Sequence, residues 1–222
     1  MTRSAARPTS PPAVWTAISV TFFAAVSVVL PIVQRGHYDV PGQTMSELAL
    51  GRFGWLQNVA FCVLGGGTAV LAIALRRQLD ARIAPVLLSV AAALDVVSAF
   101  FHAVRVGDSQ TPESVVHMSA GVGTFLLTYA AMFTLVRPLR RTPALADFAT
   151  PTRWWALAAV VAFVACAPPV VGQSHFGIGQ RVMAAVFLSW MITLSLRLQF
   201  APSDEQRRVS QASPARRYSS SV

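Results

Sequence analysis

The chain has 222 residues, of which 54% are hydrophobic and only 12% charged, and its mean hydropathy is +0.54. That balance excludes an ordinary soluble domain of this length and makes lipid the main solvent. A formal charge of +9 would point to nucleic acid in a soluble protein, but here the charges fall between apolar blocks, so they read as topogenic and no nucleic-acid partner is expected.

All eighteen basic residues are arginine, which together with the Ala/Val richness matches a GC-rich bacterial genome. Cys62 and Cys166 lie far apart within apolar stretches, so neither a disulfide framework nor a CxxC metal or redox motif is available.

A transmembrane helix needs about 20 largely apolar residues to cross about 30 Å of hydrocarbon. Six stretches qualify, at 13–33, 55–75, 84–106, 116–136, 154–171 and 178–198. The expected fold class is therefore all-α, a polytopic six-helix bundle over 13–198 with a short N-terminal tail (1–12) and a Ser/Arg/Gln/Pro-rich, disordered C-terminal tail (199–222). Span one follows Arg3 and Arg7 as a signal peptide would, but it is too long for that and reads as a retained anchor. Span five carries Pro168 and Pro169 near its end and is expected to kink or emerge early there.

Placing the N-terminus inside leaves fourteen arginines on the cytoplasmic side and only Arg35, Arg52, Arg105 and Arg181 outside. The positive-inside rule then predicts both termini in the cytoplasm of a bacterial plasma-membrane protein. Trp55, Trp154 and Trp155 fall at helix ends as interfacial anchors, whereas Trp190 lies deep enough in span six to face the bundle.

With this topology all four histidines, His37, His102, His117 and His175, gather toward the outer face. Asp95 falls about 16 Å from the expected outer end of span three, near the bilayer centre, where a carboxylate must face the bundle. Asp95, Ser98 and His102 are spaced i, i+3 and i+7 on one helix face, and Arg105 continues the stripe. The first outer loop, 36–51, is the most polar outer segment. Within it Met45 to Leu50 can form a short helix capped by Thr44, with Glu47 in the capping-box position. Asn58, Gln180 and Arg181 fall at the level of this loop. Gly65, Gly66 and Gly67 follow no strand and read as sites of close helix approach rather than a phosphate loop.

The run Ser46-Glu47-Leu48-Ala49-Leu50-Gly51 precedes a tryptophan-led helix bearing Asn58. A helix ending near His102 follows, and later Gly179-Gln180-Arg181 with Trp190. In this order and spacing the chain resembles the bacterial and archaeal membrane family known as domain of unknown function 998. The resemblance covers nearly the whole chain apart from the tails. It implies a compact six-helix domain with marked positions at Ser46, Glu47, Asn58, Asp95, His117, Gln180 and Arg181. Family members often carry Glu where this chain has Gln180, a departure that tells against any mechanism needing a carboxylate there.

Three functions compete. The first is an outward-facing polar pocket, built from Ser46, Glu47, Asn58, Asp95, Ser98, His102, Arg105, His117, Gln180 and Arg181. It would bind a membrane lipid headgroup, a small amphiphile or a membrane partner, with Arg105 and Arg181 meeting an anionic group. The second is a membrane hydrolase in which His102, His117 and His175, with Asp95 or Glu47, hold zinc. The third is a proton-coupled transporter using Asp95. Outside the zinc reading no cofactor is expected, and the residues name no protein partner.

Overall fold

A computed structural model describes residues 11–200, with side chains from residue 14. The tails expected at 1–12 and 199–222 lie outside the described residues, except that 11–12 and 199–200 belong to the first and last helices. Six long helices form, α1 (Pro11–Val33), α2 (Trp55–Gln78), α3 (Ile83–Phe100), α4 (Pro112–Arg141), α5 (Ala149–Ala165) and α7 (Phe176–Phe200). A single helical turn, α6 (Pro168–Val171), links the last two. Each long helix, α5 together with the 3-10 turn Ala146–Phe148 before it, is long and apolar enough to cross a membrane.

Packing follows chain order. α1 lies against α2, α2 against α3, α3 against α4, α4 against α5, and α5 and α1 both against α7, which closes the ring. Large apolar residues such as Val28, Ile83, Trp154 and Val161 stay exposed around it, which suits lipid contact, while Trp190 is wholly buried. Without a hydrophobic force between helices in lipid, close approach relies on small residues. A Cβ on Gly67 would come 2.4 Å from Ser19 Cβ of α1, and one on Gly65 would come 2.7 Å from the Ala92 carbonyl of α3. Gly66 faces open space. Across the first of these contacts Thr16 Oγ1 donates to the Gly67 carbonyl at 2.9 Å.

One end of the bundle carries the long connections 34–54, 101–111 and 166–175; the other carries the short links 79–82 and 142–148. Arg35, Arg52, Arg105 and Arg181 lie at the first end, called here the loop end. Arg76, Arg77, Arg82, Arg137, Arg140, Arg141, Arg153 and Arg197 lie at the other.

At the loop end three helix boundaries differ most from the hydropathy reading. α3 stops at Phe100 rather than 106, because the chain turns through an extended residue at Phe101 and a left-handed Gly107. α4 starts at Pro112 rather than 116. Thr111 and Ser114 form a reciprocal capping box there and Pro112 occupies the first turn, where its missing N–H costs nothing. α5 ends at Ala165, before the Pro168-Pro169 pair, as those prolines require.

Candidate functional site

The loop end is organised by the segment 34–54, which docks onto the start of α7. Met45–Leu50 forms a 3-10 helix with Thr44 as its cap, and both capping-box bonds to Glu47 are present, as the sequence pattern predicts. Buried Glu47 accepts from the Thr44 N–H at 3.0 Å, from the Thr44 hydroxyl at 3.1 Å and from Gln43 Nε2 at 3.0 Å. Gln34, near the end of α1, ties down the far side by donating to the carbonyls of Leu48 at 2.9 Å and Arg52 at 3.0 Å.

Arg181 acts as a clasp rather than a free cation. Its guanidinium donates to the carbonyls of Gly177 at 2.8 Å, Gln43 at 3.0 Å and Val40 at 3.1 Å, and to the Tyr38 hydroxyl, whose ring it also covers. Burial pushes the Tyr38 phenol above its ordinary value, with the Arg181 bond pulling the other way. Gln180 Oε1 accepts from the Met45 N–H at 2.7 Å, and the Ile178 N–H, an orphan of the helix start, donates to the Pro41 carbonyl at 3.1 Å. The amide thus gives an oxygen acceptor to the loop.

The predicted stripe on α3 is cut by the early helix end. Asp95 and Ser98 are buried inside the bundle, but His102 and Arg105 sit in the following loop and are exposed. Asp95 consequently lies only about 8 Å from the end of its helix, not near mid-span. His102 Nδ1 instead pairs with Glu113 at 2.8 Å on the surface.

His117, from the second turn of α4, takes over the inner position. Its Nδ1 lies 2.8 Å from the Ser98 carbonyl and 2.9 Å from the Phe101 carbonyl, groups that the terminating helix leaves without intrahelical partners. Carbonyls only accept, so Nδ1 carries a proton, and in the neutral ring Nε2 is left to accept.

Three hollows surround these residues. A cleft of about 420 Å³ runs between α4, α5 and α7 under the 103–107 loop; its walls are largely apolar, with Ser46, Arg105, His117 and Gln180 among its polar groups. A polar crevice of about 480 Å³ lies over segment 34–52 and is lined by Arg35, His37, Tyr38, Glu47, Arg52 and Arg105. Between the helices sits a small chamber of about 40 Å³ lined by Ser46, Asp95, Ser98, His117, Thr124 and Gln180. Ser46, His117, Gly121, Phe125 and Gln180 line both chamber and cleft, and Arg105 lines both cleft and crevice.

The ten candidate positions therefore divide. Ser46, Asp95, Ser98, His117 and Gln180 meet at the chamber, Glu47 and Arg105 face the crevice, and Arg181 clasps the loop. His102 is on the surface, and half-buried Asn58 lines none of these three hollows. His102, His117 and His175 do not converge; His175 pairs with Ser174, and among the described residues no three His, Cys, Asp or Glu side chains gather as a metal group.

Sequence reasoning overlooked Thr124, which stands seven residues after His117 on the same face of α4. It also overlooked Arg35 and Arg52, which had been counted only as outer charges. Buried Gln57, whose amide has no partner, gave no signal beside Asn58.

A ring of six apolar helices, closed on polar hollows at one end, defines a multi-pass membrane-helix bundle. The chain belongs to the family described as "Protein of unknown function (DUF998)", whose model matches residues 17–197. Comparison with curated proteins and with solved structures finds no match.

Proposed function

We propose that this protein binds an anionic amphiphile, such as an acidic membrane lipid, at the outer face of a bacterial cytoplasmic membrane, with both termini in the cytoplasm. The observation that carries the reading is the position of Arg105, where an apolar cleft meets an arginine-lined crevice. An apolar hollow of about 420 Å³ is of the size that takes a small ligand or part of a lipid chain. The crevice offers Arg35, Arg52 and Arg105 to a headgroup, and arginine suits phosphate through its paired N–H groups. Arg181, expected to share that task, already engages Val40, Gln43 and Tyr38 of the loop and Gly177 of its own helix through Nη1 and Nη2. Orientation follows from eight described arginines at one end against four at the other.

The test is native mass spectrometry of the detergent-purified full chain titrated with phosphatidylglycerol and, separately, phosphatidylcholine. Preferential retention of the acidic lipid is expected, falling roughly tenfold in Arg105→Ala, the equivalent of about 1.4 kcal/mol. Gly121→Leu should obstruct the cleft and reduce retention, since the residue lines the cleft and a Cβ there meets nothing within 4 Å. Equal retention of both lipids, or no loss in either variant, overturns the reading.

A further inference from the structure

The chamber has an apolar wall and a polar one that mixes donors with acceptors. Phe23, Phe61, Phe125 and Phe187 make up much of the first, and Asp95 and Thr124 in the second already bond to each other. Ser98 stands apart from the other buried hydroxyls of the helices. Thr68 and Ser195 return their hydrogens to the carbonyl four residues back in their own helices, whereas Ser98 Oγ, 3% exposed, has no hydrogen-bond partner. The His117 ring lies beside that residue, with Nδ1 on the Ser98 carbonyl and Nε2 left to accept. A donor and an acceptor thus stand open together, and leaving them unpaired in the bundle costs stability. Their complement is a neutral group that both gives and receives a hydrogen bond, which a hydroxyl does.

Size and position narrow the ligand further. A cavity needs about 10–15 Å³ to hold one water, so a chamber of about 40 Å³ takes a hydroxyl with the carbon that bears it but no acyl chain. The three hollows also converge. Ser46 lines chamber and cleft while the next residue, Glu47, lines the crevice, and Arg105 joins cleft to crevice. Anion, hydroxyl and apolar chain of a ligand filling all three therefore branch from one short centre. The chain is single, because only the cleft combines a large volume with largely apolar walls. We propose, building on the amphiphile reading, that the ligand is a single-chain lysophospholipid. Its phosphate meets Arg105, its acyl chain lies in the cleft, and its free glycerol hydroxyl enters the chamber, accepting from Ser98 Oγ and donating to His117 Nε2.

The experiment is competition between two probes, read by native mass spectrometry of the detergent-purified full chain. One is palmitoyl lysophosphatidate; the other is the palmitoyl ester of propanediol phosphate, which lacks only the hydroxyl. The wild type is expected to prefer the hydroxylated probe about tenfold, as a satisfied polar pair in a closed site gives. Ser98→Ala should remove most of that preference while both probes still bind. Arg105→Ala should weaken both alike and leave the preference standing. Equal, Arg105-dependent binding of the two probes to the wild type, as a chamber holding only water would give, overturns the proposal and leaves the amphiphile reading intact. A preference undiminished in Ser98→Ala also overturns the proposal. Retention of neither probe, or retention independent of Arg105, overturns both.

Discussion

Arg181 and Arg105 carry the same charge at the same end of the bundle and have opposite employment. The Arg181 guanidinium is half-buried and bonded to three carbonyls and a phenol, so it is a structural cross-link between α7 and the loop before α2. Arg105 is exposed at the meeting of two hollows and is available to a ligand. Truncating Arg181 would take the charged donor from the Val40 and Gln43 carbonyls, the latter keeping only the Tyr38 hydroxyl at 2.9 Å, and hydrogen bonds to a charged group are worth about 1.5–3 kcal/mol each. Arg181→Ala is expected to lower thermal stability in detergent markedly, and Arg181→Lys to recover only part, because a compact ammonium cannot span the same set of acceptors. Equal melting temperatures for wild type and Arg181→Ala would refute the clasp. Nothing in residue type or spacing separates the two arginines; only their neighbours do.

Among the elements, the 3-10 helix Met45–Leu50 was legible because its capping signal is local, Thr44 and Glu47 three residues apart. The start of α4 was equally local, in Thr111-Pro112 and Ser114, yet hydropathy counting passed over it because the first turn is polar. The end of α3 was not legible at all. Apolar residues continue to Val106, and the helix stops at Phe100 where a histidine from the next helix takes its last carbonyls. Docking of the loop on α7 likewise depends on contact, at a position where a Cβ on Gly177 would lie 2.2 Å from the Gln43 carbonyl. Gly177→Ala is expected to lift the loop, destabilising the protein by roughly 1–3 kcal/mol as an overpacked contact does, and to speed proteolytic cleavage within 36–54. Unchanged cleavage kinetics would show that the close approach is dispensable.

For the molecule as a whole, six candidate spans put both described ends at the same end of the bundle, and the proposed orientation rests on the arginine bias. In a background with Cys62→Ala and Cys166→Ala, Ser109→Cys at the loop end should react with an impermeant maleimide in intact cells. Asp80→Cys, at the opposite end, should react only after lysis. The reverse pattern would invert the topology and move the proposed lipid site to the cytoplasmic leaflet.

Hydropathy and charge, both additive along the chain, were enough to establish six helices, a membrane-embedded fold and a loop-rich end that collects the unusual polar residues. Lipid imposes this, since every backbone polar group must be satisfied within its own segment, and that demand is written locally. Packing alone decided which polar residues share a site. The α3 face that spacing drew from Asp95 to Arg105 ends after Ser98, and the chamber is completed by His117 and Thr124 from α4, Ser46 from the loop and Gln180 from α7. Such partners lie far apart in sequence, the hydrogen-bonded Met45 and Gln180 by 135 residues, and periodicity within one helix carries no information about which neighbour closes against it.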